Sequence, residues 1–481
     1  MENLIGGKWT PSVSGQRIEV KNPATGEVID TVPRANAADV QAAIASAVKG
    51  REIMRELPAH ERSRILRKAS DLIGARHEEL SRLLCRENGK TIRQCRGEMT
   101  ATERLFLDFS EEAKRMRGQY IPMDAVAGLE HMIAYTVRHP LGVVVGIVPF
   151  NYPAELFGHK IPGALAAGNS VIVKLPEQCP LTVLKLGEIL LEAGLPPVAM
   201  QMITGYPQDL GDLLVTHPEV AMVSFTGGVK AARSIATLAA ASLKRTAFEL
   251  GGVDAMIVLE DANLENAATA VVQGRLTNGA GQICCAVKRV LVAEKVLQPF
   301  LDILIRKTAE IKMGDPLKEE TDLGPLITAQ AVERVDEEVQ RSIAMGAKCL
   351  IGGKKAGGNF YAPTVLVNVS DAMPCLQDEV FGPVAPIVPF REISDAIAMA
   401  NSSPYGLQAS VFSESVHNAL GVAHRLEVGG VVVNGPGAFR PGNVPFGGVK
   451  QSGIGCESIT DTVREMSHET AIVLNQRPIA R

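Results

Sequence analysis

Three side chains in this sequence have the types and settings needed for covalent catalysis at a carbonyl carbon. Cys284 ends a glycine-rich turn (TNGAGQIC), a setting that can present a thiol at an open cleft. Glu249 ends an apolar stretch and precedes LGG, where a carboxylate at a strand end can act as a general base. Asn151 lies in the turn PFNYP, where its amide can donate a hydrogen bond to an oxyanion.

Each of these residues also has a simpler interpretation on local sequence alone. An isolated cysteine is more often an inert packing residue than a nucleophile. A carboxylate such as Glu249 can merely cap the next turn, and an asparagine such as Asn151 is a common turn residue. The chemical interpretation therefore depends on the three residues acting together.

The segments around them predict an α/β fold. From residue 36 to 110 apolar residues recur at helical spacing. Between 140 and 252 short apolar strands alternate with helix-length segments, which is typical of a parallel sheet covered on both faces. The strands that we predict there are 143–149, 170–174, 200–204, 221–225 and 246–250.

A second alternation of the same kind begins at Ala255 and continues through 289–292 to 428–434. We therefore expect two doubly wound open-sheet domains. Residues 118–139 interrupt the helical pattern with a polar, β-prone stretch and predict a protruding hairpin.

Composition and net charge indicate which kinds of binding partner to expect. The 481 residues carry a formal net charge of −4, which gives no electrostatic reason to expect nucleic acid or an anionic membrane. The start of the chain has no secretory or transit pattern, and no apolar stretch reaches the length that spans a bilayer. The eight cysteines form no CxxC pair and the nine histidines no HExxH motif. We expect a cytoplasmic protein with a small-molecule partner and no metal.

A series of ordered motifs resembles the aldehyde dehydrogenase superfamily. The resemblance begins at NPATG (22–26) and covers essentially the whole chain. The motifs that carry it are PFNYP (149–153), ALAAGN (164–169), KLPEQCP (174–180), FTGG (225–228), ELGG (249–252), GQIC (281–284), DEVFGP (378–383), YGLQAS (405–410) and PFGGVKQSGIG (445–455).

The resemblance implies a subunit of three parts. Residues 1–117 and 140–252 would form an NAD-binding domain, and residues 253–452 a catalytic domain. Residues 118–139 and 453–481 would form a small β oligomerisation element, so the family implies a homodimer or homotetramer.

The resemblance also implies the catalytic roles. Cys284 would be the nucleophile, Asn151 and the Cys284 backbone N–H the oxyanion donors, and Glu249 the base that activates water, with Lys160 supporting the site. The implied reaction oxidises an aldehyde to a carboxylic acid through a thioester.

No GxGxxG motif follows any predicted strand, so the cofactor residues come from the resemblance alone. Lys174 and Glu177 would hold the adenosine ribose, and a carboxylate at Glu177 favours NAD over NADP because it would repel a 2′-phosphate. The remaining residues implied at the cofactor are Thr226, Gly227 and Gly228 at the pyrophosphate, Glu379 and Phe381 at the nicotinamide ribose, and Pro149, Phe150, Leu250 and Gly251 nearby.

The sequence departs from the family in three places. Gly228 stands where the family commonly has serine, which removes a hydroxyl from the phosphate site. The motif NGAGQ carries one more residue before Cys284 than the NxGQ usual in the family. Cys285 follows the nucleophile, and we expect a packing role for it because successive residues of a strand point to opposite faces.

The substrate is open at this stage. Tyr152, Ile283, Cys285 and Arg440 are the candidate substrate residues, and Arg440 can bind an anion or simply be solvated. The PFNYP, YGLQAS and FRPGNVPFGG segments most resemble the branch that acts on lactaldehyde and similar short polar or anionic aldehydes. Alternatives are a glyceraldehyde-3-phosphate or succinate-semialdehyde dehydrogenase, and a CoA-acylating aldehyde dehydrogenase.

Overall fold

Two open sheets with helices on their faces form the body of the protein. The computed structural model describes residues 1–476, and its elements are numbered here in chain order. The first sheet has a parallel core of five strands, flanked at both edges by antiparallel strands. Its order is β2 (Lys8–Thr10), β1 (Asn3–Ile5), β9 (Met200–Ile203), β8 (Ser170–Lys174), β7 (Val143–Ile147), β10 (Val220–Gly227), β11 (Arg245–Leu250) and β21 (Gly453–Ile454).

Helices cover both faces of this sheet because its central strands are apolar on both sides. In β7, Val144 packs into one hydrophobic core while Val143 and Val145 pack into the core on the opposite face. The helices packed around the sheet are α1 (Ala37–Glu56), α2 (Ala59–Ala75), α3 (His77–Asn88), α4 (Ile92–Glu112), α5 (Pro153–Ala166), α6 (Leu181–Glu192), α7 (Pro207–Thr216), α8 (Val229–Ala240) and α15 (Ile459–Glu465).

The second sheet repeats the design with seven strands, all parallel except the first. Its order is β14 (Lys348–Ile351), β15 (Thr364–Val367), β16 (Val384–Phe390), β13 (Arg289–Ala293), β12 (Ala255–Val258), β18 (Gln408–Phe412) and β19 (Gly430–Val433). The helices of this half are α9 (Leu264–Val271), α10 (Leu297–Ala309), α11 (Ala329–Ala344), α12 (Pro374–Gln377), α13 (Ile393–Asn401) and α14 (Val416–Ala423).

Three small antiparallel sheets complete the fold. Strand β3 (Arg17–Lys21) pairs with β4 (Val28–Pro33), and β17 (Tyr405–Gly406) pairs with β20 (Val449–Lys450). The third sheet has the order β22-β6-β5, with bounds Ser467–Asn475, Met132–Pro140 and Tyr120–Ile121.

The predicted α/β class with two doubly wound sheets and a small β element is confirmed. Strand 170–174 has the predicted bounds, while the predicted strand 143–149 ends earlier, at Ile147. The domain boundaries stay a prediction. Residues 453–454, which we assigned to the oligomerisation element, pair with β11 of the first sheet, and residues 477–481 lie outside the described part.

Within residues 1–476, no helix is long and apolar enough to cross a membrane. In the same part of the chain, no group of three or more His, Cys, Asp and Glu side chains is placed to hold a metal ion.

Candidate active site

Two cavities meet at Cys284. One, of about 480 Å³, lies at the carboxyl ends of β10 and β11 and is also lined by Glu249. The other, of about 450 Å³, lies on the far side of the thiol and is also lined by Tyr152 and Arg440. Cys284 and Asn151 line both cavities, so the fold brings the three candidate catalytic residues to one junction.

A tight turn presents Cys284. Gly279, Ala280 and Gly281 all have left-handed backbone angles, with φ of 54°, 52° and 73°. A Cβ atom on Gly281 would lie 2.2 Å from the carbonyl oxygen of Gly382, so only glycine fits there. This turn of three left-handed residues lies within the NGAGQ motif that precedes Cys284.

The side chain of Gln282 fixes the end of this turn. It donates to the carbonyl oxygen of Gly279 at 3.2 Å and accepts from the backbone N–H of Ile327 at 3.2 Å. The expectation that Cys284 and Cys285 alternate along a strand is wrong. Both lie in a turn before β13, and both line the second cavity.

The Cys284 thiol is activated by its surroundings, which lower its pKa to about 7. A hydrogen bond from the Cys285 thiol is the largest cause, burial opposes it, and the cations Lys288 and Arg440 add to the lowering. The Lys288 ammonium contacts the Cys284 carbonyl oxygen and lies 2.8 Å from Glu379 Oε1. Near neutral pH a substantial fraction of Cys284 is therefore thiolate.

Asn151 is held against the turn that carries the nucleophile. Its Nδ2 donates to the carbonyl oxygen of Gln282 at 3.1 Å, and the side chain is buried. The Asn151 amide therefore contacts the backbone two residues before Cys284, and both residues line the same two cavities.

Glu249 lies near the end of β11, beside Thr226 of β10 and Gly453 of β21. Its Oε2 atom is buried without a hydrogen-bond partner. Burial raises the pKa of Glu249 well above its ordinary value, and the Glu457 carboxylate raises it further, while Arg440 and Lys160 oppose the shift. A carboxyl group tuned upward in a cleft is suited to general base catalysis.

A buried chain of charges lies behind Glu249. The Lys160 ammonium is 2.5 Å from Glu457 Oε1 and 3.2 Å from Ser224 Oγ. The other oxygen of Glu457 accepts from Arg440. Lys160 is fully buried and lines neither cavity, so it can act on the site only through Glu457 and the electrostatics of Glu249.

The first cavity has the features of a dinucleotide site. It opens onto the amino end of α8, where Gly228 is the N-cap and where the Thr226 hydroxyl is buried without a partner. The predicted cofactor residues that line it are Pro149, Phe150, Thr226, Gly227, Gly228, Leu250, Gly251, Glu379 and Phe381.

Aromatic and acidic groups shape the other end of this cavity. The rings of Phe150 and Phe381 meet edge to face with centroids 6.0 Å apart. A Cβ atom on Gly251 would lie 1.9 Å from Glu379 Oε2, so a glycine lets this carboxylate approach the end of β11. Lys174 and Glu177 do not line the cavity; they pair with each other at 2.5 Å.

All four candidate substrate residues, Tyr152, Ile283, Cys285 and Arg440, line the second cavity. The Tyr152 hydroxyl donates to Asn278 Oδ1 at 2.7 Å. The Arg440 guanidinium lies 4.0 Å from the centroid of the Phe446 ring, and its Nε has no hydrogen-bond partner. The Nε–H group of Arg440 is thus a buried donor that no protein group satisfies.

Comparison with known proteins agrees with this geometry. The model of the aldehyde dehydrogenase family matches residues 9–472. The chain belongs to the aldehyde dehydrogenase family.

Relatives within the family differ in the aldehydes named for them. The chain is 40% identical to the 3-sulfolactaldehyde dehydrogenase of Priestia megaterium, over 98% of this chain and 97% of that protein. It is 36% identical to the lactaldehyde dehydrogenase of Methanocaldococcus jannaschii, over 98% of this chain and all of that one. A betaine aldehyde dehydrogenase from Staphylococcus aureus, solved with NAD+, superposes with a TM-score of 0.95 at 33% identity, covering 100% and 95% of the two chains.

This aldehyde dehydrogenase also has site residues that the sequence did not single out. Lys288, Glu457, Lys90 and Glu98 are all buried and charged, and each contacts a residue of the site or its backbone. Only Lys288 had a local signal, a cation four residues after the nucleophile. The other three approach the site only through tertiary packing.

Proposed function

We propose that this enzyme catalyses the NAD-dependent oxidation of a short anionic aldehyde to a carboxylic acid through a thioester on Cys284. The observation that supports this most strongly is the position of Cys284 and Asn151 on both cavities at once. A nucleophile at that junction can hold a substrate carbon from one side and expose it to a cofactor on the other.

The Cys284 thiolate carries out the first step. Cys284, with a pKa near 7, adds to the aldehyde carbon, and the carbonyl oxygen becomes a negatively charged alkoxide. The Asn151 amide and the Cys284 backbone N–H are the donors proposed for that oxygen. One such donor is typically worth about 3 to 4 kcal/mol.

The cofactor-side residues fit NAD. When bound, NAD would supply the hydride acceptor, which leaves an acyl group on Cys284 as a thioester. The amino end of α8 and the unpartnered Thr226 hydroxyl suit phosphate oxygens. Glu379, whose Oε2 faces Gly251, suits a pair of ribose hydroxyls.

Glu249 then completes the turnover. Its carboxylate form takes a proton from water, and the resulting hydroxide attacks the thioester and releases the acid and the Cys284 thiolate. The raised pKa of Glu249 makes it a stronger base than an ordinary carboxylate once it is ionised. A base on the cavity wall supports hydrolysis in preference to transfer of the acyl group to a CoA thiol.

Arg440 supports an anionic substrate. It lines the substrate cavity and is buried, and its Nε lacks a partner. A guanidinium is well suited to binding carboxylate or sulfonate oxygens. Relatives named for 3-sulfolactaldehyde and lactaldehyde agree with a short substrate that carries polar groups.

Two variants test the mechanism. Cys284→Ala should abolish NADH formation. Glu249→Gln should give one burst of NADH per site and then stall, with the acyl-enzyme detected as a mass increase. Glu260→Gln, a variant of a surface carboxylate that pairs with Lys295, is the matched control. Steady turnover by Glu249→Gln would remove that residue from the base role, and CoA thioester as product would favour the acylating alternative.

A panel of aldehydes matched in size tests the substrate class. Wild-type kcat/KM should be higher for sulfonate- or carboxylate-bearing aldehydes than for neutral hydroxyaldehydes. Arg440→Gln should lower kcat/KM for the anionic members by about 10- to 100-fold relative to the neutral ones. Arg104→Gln is the control because Arg104 lies in an adjacent cavity. An equal loss on all aldehydes would show that Arg440 acts through Glu457 and not on the substrate.

A further inference from the structure

We infer that a buried polar clamp, formed by Asn88, Lys90 and Glu98, positions the oxyanion donor Asn151. The inference rests on the proposed function, because it assigns the clamp a role through the amide of that residue. These three side chains come from the end of α3, the following loop and the first half of α4.

The clamp binds consecutive backbone groups of the PFNYP segment. Asn88 Nδ2 donates to the carbonyl oxygen of Phe150 at 2.6 Å, and Lys90 Nζ donates to that of Asn151 at 2.7 Å. The Lys90 ammonium also lies 3.7 Å from the centroid of the Tyr152 ring and pairs with Glu98. The segment is therefore held at three successive residues, and each of these lines one or both cavities.

Glu98 fixes the other end of the segment. Its Oε1 accepts from the backbone N–H groups of Ala154 at 3.0 Å and Glu155 at 3.3 Å. These belong to the first turn of α5, whose N-cap residue Tyr152 provides no side-chain cap. A carboxylate from α4 thus caps α5, and its negative charge suits the amino end of a helix.

Hydrophobic packing alone would not require a buried ion pair between Lys90 and Glu98. Lys90 and Glu98 are almost completely buried, and burying an ion pair costs several kcal/mol in desolvation that apolar side chains would avoid. Lys90 and Asn88 line neither cavity, whereas Glu98 lies at the wall of the second one. Their contacts are with the backbone that sets the position of the Asn151 amide.

Positioning of this kind should have a measurable effect on the rate of the chemical step. A displacement of about 1 Å at a reacting group can cost about 100-fold. The neutral double variant Lys90→Met with Glu98→Gln removes both charges together and so leaves no unpaired buried ion. We expect its single-turnover rate of NADH formation to fall by about 10- to 100-fold. KM for NAD and the rate at which iodoacetamide alkylates Cys284 should change less than threefold.

A double-mutant cycle with Asn151→Ala separates positioning from general damage. If the clamp acts through the amide, adding the double variant to Asn151→Ala should cause no further loss. Fully multiplicative losses would overturn the inference and leave the role of Asn151 intact. A wild-type rate for Asn151→Ala would instead overturn the oxyanion assignment itself.

Two more variants keep the test decisive. Asn88→Ala removes one backbone contact without touching a charge, so it should show a smaller loss of the same kind even if the double variant fails to fold. Ser81→Ala removes a buried hydroxyl from α3 that bonds only within that helix, and it controls for loss of stability. Wild-type single-turnover rates for both Asn88→Ala and the double variant would also overturn the inference.

Discussion

Lys288 is a buried cation that lowers the pKa of the Cys284 thiol. Its ammonium contacts the carbonyl oxygen of Cys284 and is one of the charges that lower the pKa of that thiol to about 7. Lys288→Met should therefore raise the pKa of Cys284 toward its ordinary value. The rate of iodoacetamide alkylation should then rise at a higher pH, and an increase of about one unit in the pKa of Cys284 should slow the reaction near pH 7 about fivefold.

The matched control is Lys295→Met, which removes an exposed lysine paired with Glu260. That variant should leave the alkylation profile unchanged. An unchanged profile in Lys288→Met would mean that Lys288 does not lower the pKa of Cys284, which would leave the hydrogen bond from Cys285 and the charge of Arg440 as its causes.

Glu457 should control the pH at which Glu249 becomes a base. The negative charge of Glu457 raises the pKa of Glu249, while Lys160 and Arg440 lower it. Glu457→Gln removes the anion and leaves both cations, so the pKa of Glu249 should fall. Because the base acts when deprotonated, the pH dependence of thioester hydrolysis should move to lower pH.

Quench-flow measurement of acyl-enzyme decay over a range of pH tests this. Glu465→Gln is the control, since Glu465 is a partly buried carboxylate of α15 that is not among the main charges acting on Glu249. A profile that stays in place or moves to higher pH would contradict the electrostatic account.

At the residue scale, the sequence predicts those site residues that lie in a recognisable local motif. It does not predict those that reach the site through tertiary contacts. The glycine-rich turn, the strand end and the proline-bracketed turn marked Cys284, Glu249 and Asn151. The sequence did not single out Glu457 or Lys90, because the contacts that tie them to Lys160 and to the backbone of Asn151 join residues 297 and 61 positions apart. Such partners become visible only when the chain is folded.

At the scale of elements, a substitution at the amino end of α8 should improve both stability and cofactor binding. Gly228 is its N-cap with extended angles, φ −79° and ψ 149°, and a Cβ atom there would meet nothing within 4 Å. Gly228→Ser should add a side-chain cap that raises the free energy of unfolding by a few tenths of a kcal/mol. The new hydroxyl should also lower KM for NAD, because it faces the cavity proposed for the pyrophosphate.

Thermal unfolding and NAD titration measure the two effects separately. A more stable enzyme with unchanged KM would mean that the hydroxyl caps the helix and does not reach the cofactor. A raised KM would contradict the placement of the pyrophosphate at this helix end.

The elements themselves were predictable to different degrees. Strand 170–174 has an apolar centre and follows the turn residues Gly168 and Asn169, so its bounds could be predicted from the sequence pattern. The turn before Cys284 was not predictable in detail, since it places Ala280 in a left-handed conformation that local propensity disfavours. Its conformation is held by tertiary contacts, including the side chain of Gln282.

At the scale of the whole molecule, pairing between copies is the property that local patterns reveal least. The sheet β22-β6-β5 ends at β22, and among residues 1–476 no further strand pairs with its outer side. Val473 and Leu474 on this strand are about half exposed, as is Val126 before β6. A nine-residue edge with exposed apolar side chains is a template for pairing with another chain.

We therefore predict a homodimer or homotetramer built through β22. Val473→Asp should place a charge in that contact and reduce the mass measured by sedimentation equilibrium toward that of one chain. Val416→Asp, on the exposed face of α14, should leave the mass unchanged and serves as the control. A wild-type enzyme that sediments as a monomer, or a Val473→Asp variant that keeps the wild-type mass, would show that this edge is not the interface. Because Cys284, Asn151 and Glu249 all come from one chain, a dissociated variant that stays folded should still form NADH, which separates assembly from chemistry.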